Sequence, residues 1–183
     1  YHKIENCDVA YDVIYAMIDQ VGNNKTKPFK NHIVEQPILF ADYDLGRNGY
    51  AYFDTVSADY HVDGGEWTKW NSGNYYRNDG VDIGNDNSTP YVGWTEKGEW
   101  LQYTMSIPED GWYAIEINAY SKQVNSSLEI EINNSSATKN VAIPVFETES
   151  KNSNTLVNDI YLNKGMYKGE IGHKKNITDI YHD

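Results

Sequence analysis

The sequence is poor in cysteine and in basic residues. Its 183 residues contain one cysteine, Cys7, so no disulfide can form within the chain. Lysine and arginine total 15 against 27 aspartates and glutamates, which gives a formal net charge of −12. Nucleic acids and anionic membranes attract basic surfaces, so this charge argues against both as partners. A neutral partner is favoured.

Long apolar runs and the common catalytic signatures are also missing from the sequence. The longest apolar bursts, such as VAIPVF, have the length of a strand and not of a membrane span. The five histidines form no HExxH pattern, and the sequence has no CxxC, no GxSxG and no glycine-rich phosphate loop. Acidic residues occur throughout, so spacing alone selects no pair of catalytic carboxylates. We therefore predict no catalytic residue.

Short alternating segments and aromatic side chains make up most of the chain. In EWLQYTM, Glu99, Leu101 and Tyr103 fall on one side and Trp100 and Gln102 on the other, which is the period of a β-strand. From residue 38 onward, similar segments alternate with clusters of Gly, Asn, Asp and Ser. This spacing predicts an all-β sandwich or barrel of antiparallel sheets.

The beginning of the chain has a different pattern. Residues 8–21 carry an apolar stripe at helical spacing, with Asp8 at the N-cap position, and predict one short N-terminal helix. Residues 23–37 are polar and predict a linker or a strap. The chain starts at Tyr1 without a methionine or signal peptide, which indicates a piece of something longer. We divide it into residues 1–33, a helix and linker that either dock on the next domain or end an upstream one, and a β-sandwich over 34–183.

Five motifs carry a family resemblance. ADYD, AYFDT, YRNDGVDI, VGWTEKGEWLQYT and GWYAIEINAYS occur in the order found in family 6 carbohydrate-binding modules. The resemblance covers roughly Val34 to Asp183 and implies an antiparallel β-sandwich of the jelly-roll type. The long tryptophan-bearing loop between Thr55 and Tyr75 is most similar to modules that accompany agar-degrading enzymes.

The resemblance implies a sugar-binding cleft at the loop end of the sandwich. Tyr52 and Phe146 would be its aromatic walls, with Phe146 standing where the family usually has tryptophan. Asn176 would hydrogen-bond sugar hydroxyls. Each residue also has a structural interpretation, since Tyr52 and Phe146 could be core aromatics and Asn176 could cap a turn.

Some family members use a second site on the concave face of a sheet. The resemblance places Glu99 there, together with Trp67 or Trp70 from the long loop. A long loop that carries tryptophans is more often functional than a loop without them. Glu99 could instead be a hydrogen-bonding partner within its own hairpin, and one tryptophan could anchor the loop to the body of the domain.

The sequence departs from the family at a structural calcium site. Relatives carry alternating glutamates in the first strand, where this chain has Leu39 and Ala41. Asp42, Asp44 or Asp179 would have to hold the ion by another geometry. We therefore predict no metal and no cofactor.

The resemblance implies a non-catalytic module that anchors a secreted or cell-surface glycoside hydrolase to a neutral polysaccharide of the agar, β-glycan or xylan class. Its partners would be a polysaccharide or oligosaccharide and an upstream catalytic domain. Aromatic rings match the apolar face of a pyranose, and amide and carboxyl groups match its hydroxyls. Two alternatives stay open: a subsite of a glycoside hydrolase, and an adhesion sandwich without a sugar site.

Overall fold

The computed structural model describes residues 24–56, 76–77, 79–132, 139–145 and 154–172. The predicted N-terminal helix at residues 8–21 lies outside these ranges. Within them, none of the helical structure has the length and apolar character needed to cross a membrane.

The described residues form ten strands in one large sheet and two ribbons. In the large sheet, β5 pairs with β1 in parallel and with β2 and β10 in antiparallel fashion, and β7 and β8 continue the sheet beyond β10. The ribbons are the antiparallel pairs β3–β4 and β6–β9. The strands are β1 His32–Ile33, β2 Tyr52–Phe53, β3 Ile83–Asp86, β4 Thr89–Val92, β5 Trp100–Ile107, β6 Gly111–Asn118, β7 Ser127–Ile132, β8 Lys139–Ala142, β9 Asn154–Leu162 and β10 Gly165–Gly172.

Two clusters of buried side chains join the large sheet to the ribbons. The first includes Ile107 and Ile130 from the large sheet and Ile117 and Ile160 from the β6–β9 ribbon. The second joins side chains such as Leu101 and Tyr103 of β5 to residues of the β3 region. The inward side chains of β5 alternate as the sequence predicts, because one face of the strand is covered by this core. This packing of layers confirms the predicted all-β, antiparallel β-sandwich.

Three local features differ from the sequence interpretation. The segment ILFADYD contains a short 3-10 helix, Phe40–Asp42, and no strand. Its bend is held by the buried Arg77, whose guanidinium donates to the carbonyl oxygens of Tyr43 (2.5 Å) and Asp44 (3.3 Å). The hairpin β3–β4 was not predicted; it turns at Asn87 and Ser88, both with positive φ, as a two-residue hairpin loop requires.

The third difference is a strand within the polar segment before the sandwich. Within the predicted linker or strap, β1 pairs with β5, and Lys27 forms an isolated bridge with Leu45. Thr26 accepts hydrogen bonds from Gln102 (2.9 Å) and Lys168 (2.8 Å). Residues 24–33 therefore lie on the sandwich as a strap, because their backbone groups find partners in β5 and at Leu45. The domain boundary at residue 33 stays a prediction.

Candidate functional site

A cavity of about 130 Å³ lies at the end of the sandwich where β5 begins and β10 ends. It is placed where the two core clusters meet, since Leu128 belongs to the first cluster and Leu101 to the second. Most of its wall is apolar, and Asp54 and Glu99 are the acidic residues that line it. The cavity is lined by Phe40, Asp54, Val81, Tyr91, Val92, Gly93, Thr95, Glu99, Trp100, Leu101, Asn118, Ala119, Tyr120, Leu128, Ile171 and Gly172. We refer to this region as the cavity end.

Glu99 is positioned by the turn that precedes β5. Its backbone N–H donates to the carbonyl oxygen of Glu96 (3.2 Å), and Gly98 adopts a φ of 99°, which glycine tolerates at low cost. The Glu99 carboxylate is buried and accepts hydrogen bonds from the N–H (3.0 Å) and hydroxyl (2.8 Å) of Thr55 and from the N–H of Glu96 (2.6 Å). Glu99 thus joins the β2 exit to the β5 entrance, which is the hairpin role considered from the sequence.

Asp54 lies directly after β2 and is also buried. Asn48 fixes its backbone from both sides, donating to the Asp54 carbonyl (2.9 Å) and accepting from the Asp54 N–H (3.3 Å). Oδ1 of Asp54 accepts a hydrogen bond from the N–H of Val56 (2.8 Å). A carboxylate has about four acceptor positions, so this contact does not use the full acceptor capacity of Asp54.

Asp82, directly before β3, is also buried, and the charges of Asp54 and Glu99 act on its carboxyl. Within the described part of the chain, its buried Oδ1 has no hydrogen-bond partner. Burial first, and then the charge of Asp54, raise the pKa of Asp82 from 3.8 to about 8. Burial and then the charge of Glu99 raise the pKa of Asp54 from 3.8 to about 7. Protonation of one or both is therefore favoured near neutral pH, because removal from water and like charges both disfavour the ionised form.

Tyr91 brings an aromatic ring to the cavity from β4. Its ring packs against Gly84, where an added Cβ would collide with the phenol group, and close to Gly93. The neighbouring Trp94 ring lies 6.2 Å away, centroid to centroid. Because Gly84 and Gly93 both leave space for the Tyr91 ring, the hairpin itself fixes the position of this ring.

Tyr52, the predicted aromatic wall, lies in the second core cluster. Only 5% of its surface is exposed, and its ring packs edge-on against Tyr43 at 5.5 Å. Burial raises the pKa of its hydroxyl. A sugar cannot stack on a ring whose faces are covered by protein, so the packing makes Tyr52 a core residue. Tyr52 therefore has no open ring face for the stacking that the family resemblance implies.

The other predicted sugar contacts are Trp67, Trp70, Phe146 and Asn176, and they lie outside the described residues. Their roles, and that of Glu99, stay predictions. The described residues that precede these segments do meet at the cavity end. Thr55 is bonded to Glu99, Val145 bridges Ser121 beside the cavity residue Tyr120, and Gly172 lines the cavity itself.

The aspartates considered for calcium have protein partners. Asp44 accepts hydrogen bonds from the N–H (2.8 Å) and hydroxyl (2.7 Å) of Thr104 and from the amide of Gln102 (2.8 Å). Asp42 pairs with Lys30 at 2.9 Å and accepts from the hydroxyl of Tyr76. In the described ranges, no three His, Cys, Asp or Glu residues come together as a metal site. Asp179 lies outside those ranges.

Sequence reasoning missed Asp82, Tyr91 and Tyr120 as residues of this region. Nothing local marks Asp82, which directly precedes β3, as a buried aspartate. Tyr91 carried a usable signal, because it stands between two glycines and opposite Gly84 in the hairpin. Tyr120 follows β6, and only the meeting of distant strands brings it to the cavity.

The fold and the cavity together define an antiparallel β-sandwich with an aromatic and acidic cavity at one end. Two solved structures similar to it are family 6 carbohydrate-binding modules, the family that the sequence motifs resemble. One, a β-1,3-glucan-binding module from Bacillus halodurans, is 18% identical over 55% of this chain and 77% of its own, with a TM-score of 0.42. The other, from Clostridium cellulolyticum in complex with xylose, is 14% identical over 55% of this chain and 80% of its own, with a TM-score of 0.44. No protein-family model and no curated protein matches the chain.

Proposed function

We propose that this chain is a non-catalytic carbohydrate-binding module that holds a neutral glycan at the cavity end. The observation that carries the proposal is one cavity whose lining combines apolar and aromatic residues with the acidic residues Asp54 and Glu99. A pyranose presents an apolar C–H face and a rim of hydroxyls, and such a wall matches both.

The buried carboxyls suit hydroxyl ligands in either protonation state. An ionised carboxylate accepts hydrogen bonds from sugar hydroxyls, and a protonated one also donates to a sugar oxygen. With the pKa of Asp54 raised to about 7, both forms are populated near neutral pH. A cationic ligand is not required, and an anionic one would be repelled by the net charge of −12.

The cavity alone supports only modest affinity. Its volume of about 130 Å³ is smaller than that of sites for drug-sized ligands, which hold roughly 300–1,000 Å³. Each hydroxyl hydrogen bond nets about 0.5–1.5 kcal/mol because it replaces one to water. We therefore expect a dissociation constant between about 1 μM and 1 mM. Weak binding of this kind becomes useful when a tether raises the local concentration.

The finer function follows as part of the same proposal. The glycan is a neutral polysaccharide of the agar, β-glycan or xylan class, and the module anchors a glycoside hydrolase to it. The enzyme is carried by an upstream catalytic domain and acts outside the cell. The charge of the chain, its motif resemblance and the cavity chemistry support this.

Affinity electrophoresis through gels containing agarose, xylan, laminarin or soluble cellulose derivatives tests the proposal. We expect retardation by at least one glycan, and a weaker retardation for Tyr91→Ala, which removes a ring from the cavity wall. Met166→Ala is the matched control, since it truncates an exposed apolar side chain on β10. A folded parent protein that migrates freely through every glycan would refute the proposal, and release of reducing sugar by the chain would favour a catalytic subsite.

A further inference from the structure

Two aromatic rings stand in solvent on the β6–β9 ribbon. Trp112 is 72% exposed and Tyr161 is 51% exposed. They are direct partners in the antiparallel register, and their ring centroids are 5.3 Å apart at an interplanar angle of 73°. We call Trp112 and Tyr161 the ribbon pair.

The ribbon pair is exposed although its strands are well packed. β6 alternates, so that Tyr113, Ile115 and Ile117 face inward while Trp112 faces outward. On β9, Ile160 lies in the core immediately before Tyr161. The outward direction of the pair is thus fixed by the alternation of two strands with a buried face. Two large rings that are exposed side by side form a contiguous apolar patch, and such patches are candidates for binding sites.

Two tethers hold the backbone on either side of the ribbon pair. The hydroxyl of Tyr113 donates to the carbonyl oxygen of Glu109 at 2.7 Å. The N–H of Lys164 donates to Oδ1 of Asp110 at 2.6 Å, which joins the turn before β6 to the turn after β9. Binding to a surface that is already ordered costs less conformational entropy.

The size and charge of this surface identify its partner class. Two aromatic side chains at these exposures offer roughly 250 Å² of surface. A stable protein interface needs about 800 Å² from each partner, so the ribbon pair is too small to hold a second protein. A second copy would also bring two chains of net charge −12 together. A neutral ligand with a flat apolar face fits both the area and the charge.

We propose that the ribbon pair is a second carbohydrate contact that stacks on internal units of a polysaccharide chain. The inference rests on the proposed function and adds a site to it. The pair lies on an open sheet face, so a chain can pass over it in both directions, whereas the cavity is partly enclosed. Trp112 and the cavity residue Asn118 are six residues apart on β6, which is about 20 Å. A long glycan can therefore contact both sites and bind more tightly than a short one.

Comparing polymer with short oligosaccharide separates the two sites. We would measure Trp112→Ala, Tyr161→Ala, Trp112→Phe and the control Met166→Ala by affinity electrophoresis on the polysaccharide that retards the parent, and by calorimetry with its trisaccharide. The two alanine variants should lose about tenfold in apparent affinity for the polymer and keep the parent's affinity for the trisaccharide. Trp112→Phe should keep part of the polymer affinity, because it retains a ring.

The possible outcomes have distinct meanings. Alanine variants that are retarded as strongly as the parent would overturn the ribbon pair as a sugar contact while leaving the proposed function intact. A parent that binds neither polymer nor trisaccharide would overturn both proposals. A parent that sediments as a dimer, with a monomeric Trp112→Ala, would show that the pair binds a second copy and not a sugar.

Discussion

The two ends of the sandwich use polar and aromatic groups in opposite ways. At the cavity end, Asp54, Asp82 and Glu99 are buried, and the cavity there has mostly apolar walls. At the other end, Trp112 and Tyr161 are left in water on top of a well-packed ribbon. One end therefore has carboxyls where a core would be expected, and the other has large rings where a polar surface would be expected.

The two ends should contribute differently to the stability of the fold. A buried carboxyl without a full set of partners costs free energy, whereas an exposed ring costs little in the folded state. Substitutions at the cavity end should therefore change stability strongly, and substitutions in the ribbon pair should not. Four predictions test this difference, from the largest expected effect to the smallest.

Gly172→Ala should destabilise the protein the most. An added Cβ would lie closer to the backbone of Glu99 and Trp100 than side-chain carbons come, so the end of β10 would have to move. We expect a loss of about 3 kcal/mol in the free energy of unfolding, measured by urea denaturation. The control is Gly111→Ala at the other end, where the nearest atom is a Tyr113 ring carbon at 3.8 Å. Equal losses in the two variants would contradict the contrast.

Asp82→Asn should stabilise the protein in a pH-dependent way. The pKa values of about 8 for Asp82 and about 7 for Asp54 exceed the ordinary 3.8, so the folded state binds these protons more tightly than the unfolded state. The parent should therefore lose stability as pH rises from about 4 to about 8.

In Asp82→Asn, the part of this pH-dependent loss of stability that comes from ionisation of Asp82 is absent. It should be more stable than the parent by about 2 kcal/mol at pH 8 and nearly equal to it at pH 4, as followed by thermal unfolding across pH. Asp159→Asn, at an exposed position, is the control. If the parent instead gained stability relative to Asp82→Asn as the pH rises from 4 to 8, the raised pKa of Asp82 would be contradicted.

Glu99→Gln should have a smaller effect of the opposite sign. Its two carboxylate oxygens accept from Thr55 on one side and from the Glu96 N–H on the other, and a glutamine side chain has only one acceptor oxygen. We expect a loss of about 1.5 kcal/mol, measured by denaturant titration near pH 7. Thr55→Val removes one of the same hydrogen bonds and should not add its full cost to that of Glu99→Gln. Fully additive losses would show that the two residues are not coupled.

Trp112→Ala should change stability least. The side chain is 72% exposed and contributes little to either core cluster, so the free energy of unfolding should stay within about 0.5 kcal/mol of the parent's. Thermal unfolding alongside the polymer-binding assay measures both properties in one preparation. A loss of more than about 2 kcal/mol would mean that the ring supports the ribbon, and would remove the stability contrast between the ends.

The strands that one buried face defines could be predicted from the sequence. β5, β6, β7 and β10 follow segments whose apolar residues alternate, because alternation is a local property of a strand that is covered on one side. β1 and the 3-10 helix at Phe40–Asp42 could not be found in this way. β1 forms because its backbone pairs with β5, which is distant in sequence. The bend at the 3-10 helix depends on hydrogen bonds from the distant Arg77 to backbone carbonyls.

The candidate site could be predicted only in part. The motif around Glu99 was recognised, and Tyr52, which the sequence left open as a cleft wall or a core aromatic, lies in the core. Period-two alternation says which residues share a face and not which face the rest of the chain will cover. Asp82 and Tyr120 were overlooked for the same reason, since the burial of Asp82 and the place of Tyr120 in the cavity wall depend on segments that are far apart in sequence.

The sequence by itself determined the class of fold, the acidic charge and the preference for a neutral partner, since these follow from local alternation and from composition. The tertiary structure alone decided which carboxyls are buried together, where the cavity lies and which aromatic rings remain in water. Burial depends on the packing of segments that are distant along the chain, and no pattern within a single segment contains that information.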